Sequence, residues 1–580
     1  MKKLTALLLT ALLLAGCTAD PVIETTPPET TAETTHGGSA GADSAGLFTD
    51  RDFRTEYEDA ESITLGSEDV VINREGSYLL TGTLSDGQII VDADKQEKVQ
   101  LILSDAHITS GTSAPIYVRQ ADKVFITLEG ENSLTNGGSF EAIDDNNIDA
   151  VIFSKEDLTL NGDGSLTITS PAGHGIVSKD ELTVTGGVYD ITCASHGICG
   201  KDNLCIAGGS FTIAAGKDGL HAENSDDAAL GFGYIQGGTF TISAEGDGIA
   251  ASGALDIHGG TFDITTGGGS ENGTKQISGG WGQMGGGRGG MGGPGMGGPG
   301  MSFGGETTTE AEDAESIKGI KAGADLTVTG GSFTLNCADD ALHANANVTI
   351  RGGDFTIATG DDGFHADDTL TIENGTIDIS ESYEGLEGLH IAVRGGSISL
   401  ISSDDGLNAA GGTDSSGMGG RDQFGPGMGG PGGMSANSDG TIVISGGQIY
   451  MEASGDGIDA NGTLEITGGF TVVTGPTQGD TATLDYDLSA TISGGTFIGT
   501  GSSMMAQTFS GNTQGIIAVS LGGSAPAGTE LVLTDAAGGE VVRFTPNLSY
   551  AVVILSSPDM VSGETYTISV GTATGEFEAY

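Results

Sequence analysis

An all-β fold, a parallel β-helix with one coil about every 22 residues, is predicted for this 580-residue chain by three observations. A short phrase recurs as Gly-His-Gly-Ile at 173–176, Ser-His-Gly-Ile at 195–198, Lys-Asp-Gly-Leu at 217–220 and Gly-Asp-Gly-Ile at 246–249. It returns as Asp-Asp-Ala-Leu at 339–342, Asp-Asp-Gly-Phe at 361–364, Tyr-Glu-Gly-Leu at 383–386, Asp-Asp-Gly-Leu at 404–407 and Gly-Asp-Gly-Ile at 455–458. A second mark, a Gly-Gly pair, follows at 186–187, 208–209, 237–238, 259–260, 330–331, 352–353, 395–396 and 446–447. Between the two lie runs such as Leu182-Thr183-Val184 and Ser210-Phe211-Thr212-Ile213, which alternate at the period of a strand. A unit this short cannot enclose a core alone, so its copies stack, and strand pairing between coils satisfies the backbone.

The N-terminus reads as a secretory signal. Lys2 and Lys3 precede an apolar run from Leu4 to Leu14, and Leu14-Ala15-Gly16-Cys17 follows. Cys after Leu-Ala-Gly resembles a bacterial lipobox, which makes 1–17 a lipoprotein signal with Cys17 as the lipidated residue. The expected location is extracellular, with the membrane reached through the lipid anchor only. Residues 18–50, rich in Thr, Pro, Glu, Gly and Ser, are expected to form a disordered linker.

Strands such as Val99–Leu103 and Val124–Leu128 start the helix, which is expected over 51–505. Extra residues around Asn224–Leu230 and Gly/Met/Pro-rich stretches at about 267–312 and 411–439 interrupt the period without shifting it. They read as loops extruded from corners, disordered by composition. Past 511 the phrase is gone, and 511–580 reads as a small β cap or accessory module. Cys193, Cys199, Cys205 and Cys337 lack metal-site spacing and read as thiols inside the solenoid, although the sequence does not fix whether any pair forms a disulfide.

Lys+Arg number 21 against 79 Asp+Glu, a net charge of −58. Such a surface repels nucleic acid and anionic lipid and attracts cations. Registering the coils on the Gly of the phrase shows where that charge concentrates. The next column is apolar throughout (Ile176, Ile198, Leu220, Ile249, Ile320, Leu342, Phe364, Leu386, Leu407, Ile458) and must point inward. Tyr189, Phe211, Phe240, Phe262, Phe333 and Phe355 form another column, read as a core stack and not a sugar platform.

The column before the Gly holds His174, His196, Asp218, Asp247, Lys318, Asp340, Asp362, Glu384, Asp405 and Asp456. The column two after the apolar residue's predecessor holds Cys199, His221, Lys321, His343, His365, Glu387, Asn408 and Asp459 among others. By strand alternation both flank the inward residue and face outward. Like charges roughly 5 Å apart repel by about 1 kcal/mol in water and about 3 kcal/mol at an effective dielectric of 20. Protonation or a divalent cation must offset that. Calcium, which takes six to eight oxygens, is the expected cofactor. Its candidate ligands are Asp339, Asp340, Asp361, Asp362, Glu384, Glu387, Asp404, Asp405, Asn408, Asp456 and Asp459, with Asp218 and Asp247 as additional ones. Zinc is less apt here, because His221, His343 and His365 are spread along the column. No pair of hydrolytic carboxylates stands out. A lyase would need a base, for which Lys318 and Lys321 are the candidates.

The phrases Lys201-Asp-Asn-Leu, Gly237-Gly-Thr-Phe-Thr-Ile, Gly246-Asp-Gly-Ile and Asp404-Asp-Gly-Leu-Asn-Ala resemble a family of bacterial surface carbohydrate-binding proteins. So do Ser85-Asp-Gly-Gln-Ile-Ile-Val, Ala114-Pro-Ile-Tyr-Val and the Gly/Met inserts, over about 55–500. The resemblance implies a right-handed β-helix akin to calcium-dependent pectate lyases, with cellulose and pectic polysaccharide as partners and bound calcium. It carries no catalytic residue onto this chain, and the coils with His174, His196 and Lys318 depart from its acidic pattern. The expected function is a lipid-anchored, calcium-binding protein that recognises plant cell-wall polysaccharide. The alternatives are a calcium-dependent pectate lyase and a structural adhesin or spacer.

Overall fold

The computed structural model describes residues 46–143, 146–273, 275, 316–410, 439–477 and 481–580. Cys17, the signal and nearly all of the expected linker lie outside them, as do most of the two Gly/Met-rich inserts. Among the described residues there is no α-helix, and parallel pairing from coil to coil builds a β-helix with three sheets.

The first sheet carries the phrase. Its strands Ile198–Gly200, Leu220–Ala222, Ile249–Ala251, Ile320–Ala322 and Leu342–Ala344 pair in direct register, so Ile198, Leu220, Ile249, Ile320 and Leu342 form one column. The second sheet takes runs such as Asn203–Ile206 and Leu326–Val328, and the third takes Ser210–Ala215, Thr239–Ala244 and their equivalents. Register is strict because a slip of one residue would turn every apolar side chain out of the core. The irregular strands of 61–170 obey the same scheme: Val70–Ile72, Ile89–Asp92, Ile116–Gln120 and Ala150–Ser154 lead directly into the first sheet.

The expected aromatic stack is inside the helix. Tyr189, Phe211, Phe240, Phe262, Phe333 and Phe355 lie ring over ring, with centroids 5.0, 4.9, 4.8, 4.7 and 4.6 Å apart along the series. All six are buried, so none is a sugar platform. The spacing is that of neighbouring strands, which makes the stack a direct result of in-register pairing. Cys193, Cys205 and Cys337 are buried and Cys199 half-buried, and all four are free thiols.

Two glycine columns are required by contact and by conformation. A Cβ on Gly197 would stand 2.5 Å from the carbonyl oxygen of Gly219 in the next coil and 2.6 Å from Ile213. The second Gly of the Gly-Gly pair, for example Gly209 with φ 128°, occupies backbone space that side chains disfavour and forms the tight bend between second and third sheets.

Past the last coils the pairing changes sense. Tyr550–Ser556 runs antiparallel to Ser489–Gly501 and to Ile516–Ala525. Leu531–Thr534, Glu540–Phe544, Thr565–Val570 and Ala573–Glu578 form a separate four-stranded antiparallel sheet. Its apolar side shares one core with Val472 and Ile498, so the module sits on the outer face of the third sheet.

Candidate functional site

The acidic column has a structural duty that the sequence pattern does not announce. Every Asp and His before the Gly accepts the backbone N–H of the same position one coil on, whereas Glu384 instead accepts from the amide of Asn408. His174 Nδ1 takes the N–H of His196 (3.3 Å), His196 Nδ1 that of Asp218 (3.3 Å), Asp218 Oδ1 that of Asp247 (2.8 Å) and Asp247 Oδ1 that of Lys318 (2.7 Å). Asp340 Oδ1 serves Asp362 (3.1 Å), Asp362 Oδ1 serves Glu384 (3.3 Å), and Asp405 and Asp456 serve Asp456 and Ala482. Lys318 has no acceptor to offer. There the neighbouring acid substitutes, and Asp339 Oδ1 takes the N–H of Asp340 at 3.0 Å. An Asp or His in this column therefore satisfies a backbone donor that would otherwise be left unpaired.

Where the residue three further along is a histidine, the second oxygen of the acid turns toward it. Asp218 Oδ2 lies 2.6 Å from His221, Asp340 Oδ2 2.9 Å from His343, and Asp362 Oδ2 3.2 Å from His365. These groups do not face open water as strand alternation suggested. Lys318, Asp340, His343, Asp362 and His365 are all buried. They are covered by one another and by the front of the insert, where Ser270–Asn272 makes a 3₁₀ turn, the N–H of Ser270 bonds Asn336 (2.8 Å), and Lys275 Nζ reaches Asp361 (3.0 Å).

Protein cations offset part of the acid in these middle coils, although burial, then Asp362, push Asp361 well above the usual range, and burial, then Glu387, push Asp362 well above it. Lys318 lies 3.3 Å from Asp339 and pairs with Asp340. Burial alone would raise the carboxyl of Asp340, but Lys318 and the hydrogen bond from His343 hold it well below the usual range. Burial works against the charge on His365 too, yet Asp362, Asp367 and Glu387 keep its imidazole well above its ordinary value. Lys318 is enclosed in these pairs with no exposed surface, which is the position of a coil-to-coil ion pair. Lys321, in register between Ala250 and His343, is half-buried beside it.

The last coils differ. Asp405, Asp456 and Asp459 each bring a carboxylate oxygen within 4.8 Å of the other two. Here the residue opposite the acid is Asn408 or Asp459 instead of a histidine. Among the described residues no basic side chain pairs with any of the three. Burial, then Asp456 and Asp404, push Asp405 up to about 9; burial and Asp459 push Asp456 up to about 7; burial and Asp485 push Asp459 up to about 6. Asn408 is buried between Glu387 and Asp459 in register. Its Nδ2 donates to both oxygens of Glu384 (3.0 and 2.9 Å), and its Oδ1 has no hydrogen-bond partner. The three carboxylates form an all-oxygen donor set, with Asn408 in register beside Asp459, and such donors fit a hard divalent cation such as calcium.

Of the expected metal ligands, the structure thus divides Asp339, Asp340 and Asp361, which meet lysine amines, from Asp405, Asn408, Asp456 and Asp459, which do not. Asp362, Glu387 and His365 form one internally paired group, with Glu387 2.7 Å from His365. Glu384 is capped by Asn408, and Asp404 adds negative charge to the Asp405 cluster. Asp218 and Asp247 act as links of the N–H ladder. Lys275 was missed because it sits in a stretch whose composition reads only as a loop.

A model of the carbohydrate-binding domain-containing protein family matches residues 66–363 and 362–506. A carbohydrate-binding domain-containing protein from Acetivibrio thermocellus is 34% identical over 188 residues, 32% of this chain, and the chain spans 62% of that relative's length. A solved structure described as the polysaccharide lyase-like protein from C. thermocellum, gadolinium derivative, is 32% identical, with 36% of this chain and 90% of that one covered at a TM-score of 0.34. Because the family model spans most of the β-helix from its first coils to its last, the chain belongs to the family of carbohydrate-binding domain-containing proteins.

Proposed function

We propose that this protein binds plant cell-wall polysaccharide outside the cell, held by a lipid on Cys17, and that calcium at Asp405, Asn408, Asp456 and Asp459 completes the binding face. One observation carries the reading: these facing carboxylates pair with no basic side chain among the described residues, although the same column supplies one, Lys318, four coils before Asp405. A divalent ion there would offset the repulsion and leave coordination positions open to water or to the carboxylates of a pectic chain. Such bridging would let a chain with a net charge of −58 hold an acidic glycan.

The test is retention on insoluble polygalacturonate and on cellulose, with calcium or with chelator, for the wild type and Asp456→Asn. Calcium-dependent retention on polygalacturonate that Asp456→Asn abolishes is the expected result. Equal retention in chelator would remove calcium from the reading, and no retention on either glycan would leave a structural spacer. Release of unsaturated sugars in the same tubes would make the protein a lyase.

A further inference from the structure

The first coils of the helix turn from second to third sheet by a wider corner than the rest. Ile126 to Glu131 and Leu160 to Ser165 each span one residue more than Val184 to Val188, with which they are in register. The segment that precedes the first strand is fastened to the same corners. Asn161 Nδ2 donates to the backbone carbonyls of Asp52 (3.0 Å) and Arg54 (3.2 Å), and Thr185 Oγ1 donates to that of Asp52 (2.8 Å). Asp52 itself is buried and takes the hydroxyl of Thr159 at 2.7 Å. So held, the segment brings the half-buried Tyr57 over the corner, its hydroxyl 3.4 Å from Oε2 of Glu129. A groove of about 770 Å³ lies between the segment and the two corners, a size usual for a small-ligand site.

Tyr57 lines this groove with Glu56, Glu129, Glu131 and Asp163, and among the described residues no basic side chain does. The cations of these coils are engaged elsewhere, Lys123 with Asp52 at 3.0 Å and Arg51 with Gln100 at 3.1 Å. Such walls repel a uronate and offer its carboxylate no partner. They suit hydroxyl groups, because a carboxylate accepts an O–H in a short, charge-assisted hydrogen bond. A pyranose also presents a face of C–H bonds, which the negative face of a tyrosine ring attracts. We propose that this groove binds a neutral polysaccharide, with Tyr57 against a sugar ring and Glu129, Glu131 and Asp163 accepting its hydroxyls. The groove thus rests on the reading of a carbohydrate-binding chain but not on calcium, and it lies on a different corner of the coil from the Asp405 cluster. Pectic chains belong to that cluster and uncharged ones to this groove.

The experiment is isothermal titration of the full chain with cellohexaose, xylohexaose and hexagalacturonate in chelator, so that the Asp405 cluster holds no calcium. At least one neutral hexamer should bind, and hexagalacturonate should not. Tyr57→Ala should weaken that binding about tenfold or more, while Tyr57→Phe, which keeps the ring, should bind as the wild type does. Should Tyr57→Ala fail to fold by circular dichroism, Asp163→Asn provides the second readout, since it removes a charged acceptor and should also weaken binding. Three results would each overturn the proposal: neither neutral hexamer binds, hexagalacturonate binds more tightly than both, or a folded Tyr57→Ala or Asp163→Asn binds as the wild type does. The two sites fail separately. Asp456→Asn should leave the neutral hexamer bound, and Tyr57→Ala should leave calcium-dependent retention on polygalacturonate unchanged.

Discussion

The coils of Asp340 and Asp362 and the coils of Asp405 and Asp456 share one motif and handle its charge in opposite ways. In the former, Lys318, Lys275 and His365 stand against the acids, and only the excess carboxylates Asp361 and Asp362 stay raised. In the latter, Asn408 and Asp459 occupy the histidine position, and buried carboxylates are pushed upward by one another. One column is therefore paired with protein cations in one place and, among the described residues, left without them in another. The difference lies in the residue opposite the acid, not in the acid.

The largest effect expected from this contrast is at Lys318. Lys318→Met leaves Asp340 buried beside Asp339 without its amine, and removal of one partner from a buried pair costs about 3–5 kcal/mol. Urea denaturation should show that loss with or without calcium. Full rescue by calcium would erase the distinction between the two regions.

Next is the pH dependence of the last coils. Asp405 at about 9 and Asp456 at about 7 hold protons in the folded chain that the unfolded chain gives up near 4. The folded state binds more protons in that window, so without calcium their contribution to stability falls as pH rises from about 4 to about 9. Asp405→Asn keeps the acceptor for the N–H of Asp456 and removes the charge. It should be the more stable protein in chelator at about pH 8 and show a shallower slope. Calcium should stabilise the wild type at the alkaline end, by about 2.7 kcal/mol at a hundredfold excess over its dissociation constant, and so flatten its slope. Parallel slopes for the two proteins would contradict the assignment.

The smallest effect sharpens the comparison from the other side. The side chain of Lys275 is 29% exposed, so Lys275→Ala should cost no more than about 1 kcal/mol. It should also leave Asp361 uncompensated, and the melting temperature of this variant should gain a second, weaker response to calcium. An unchanged calcium titration would show that Lys275 is not what closes the middle cluster.

Nearly all of the helix was legible in the sequence, because in-register stacking turns each position into a column whose chemistry averages over many coils. The Phe211–Phe355 stack and the inward Leu220–Leu342 column follow from that averaging. The site was legible only as a set of acids. Strand alternation gave the side of the sheet to which Asp340 and His343 belong, but it says nothing of what lies above them. Their burial comes with pairing between coils, Lys318 on Asp340 and His365 on His343, while Lys275 reaches Asp361 from a stretch that reads only as a loop. The N–H ladder was hidden because Asp and His both serve it, so its column does not read as uniform. Lys318 exposed the rule in the end, since Asp339 must substitute for it.

The three corners of each coil also differ in their tolerance of extra chain. From Val184 onward the step between second and third sheets is constant (Val184 to Val188, Ile206 to Ser210, Ile257 to Thr261, Ile350 to Asp354 and Ile444 to Gln448), whereas the coil before takes one residue more, Leu160 to Ser165. Every added segment, around 224–230, 267–315 and 411–438, enters at one of the other two corners. At the constant corner a positive-φ glycine rests on the one below it, with Gly209 beneath Gly238 and Gly238 beneath Gly260, so a bulge there would pry two neighbours apart. Lineages of this protein can acquire new loops, and engineers can graft peptides, on two edges of the prism but not on the third.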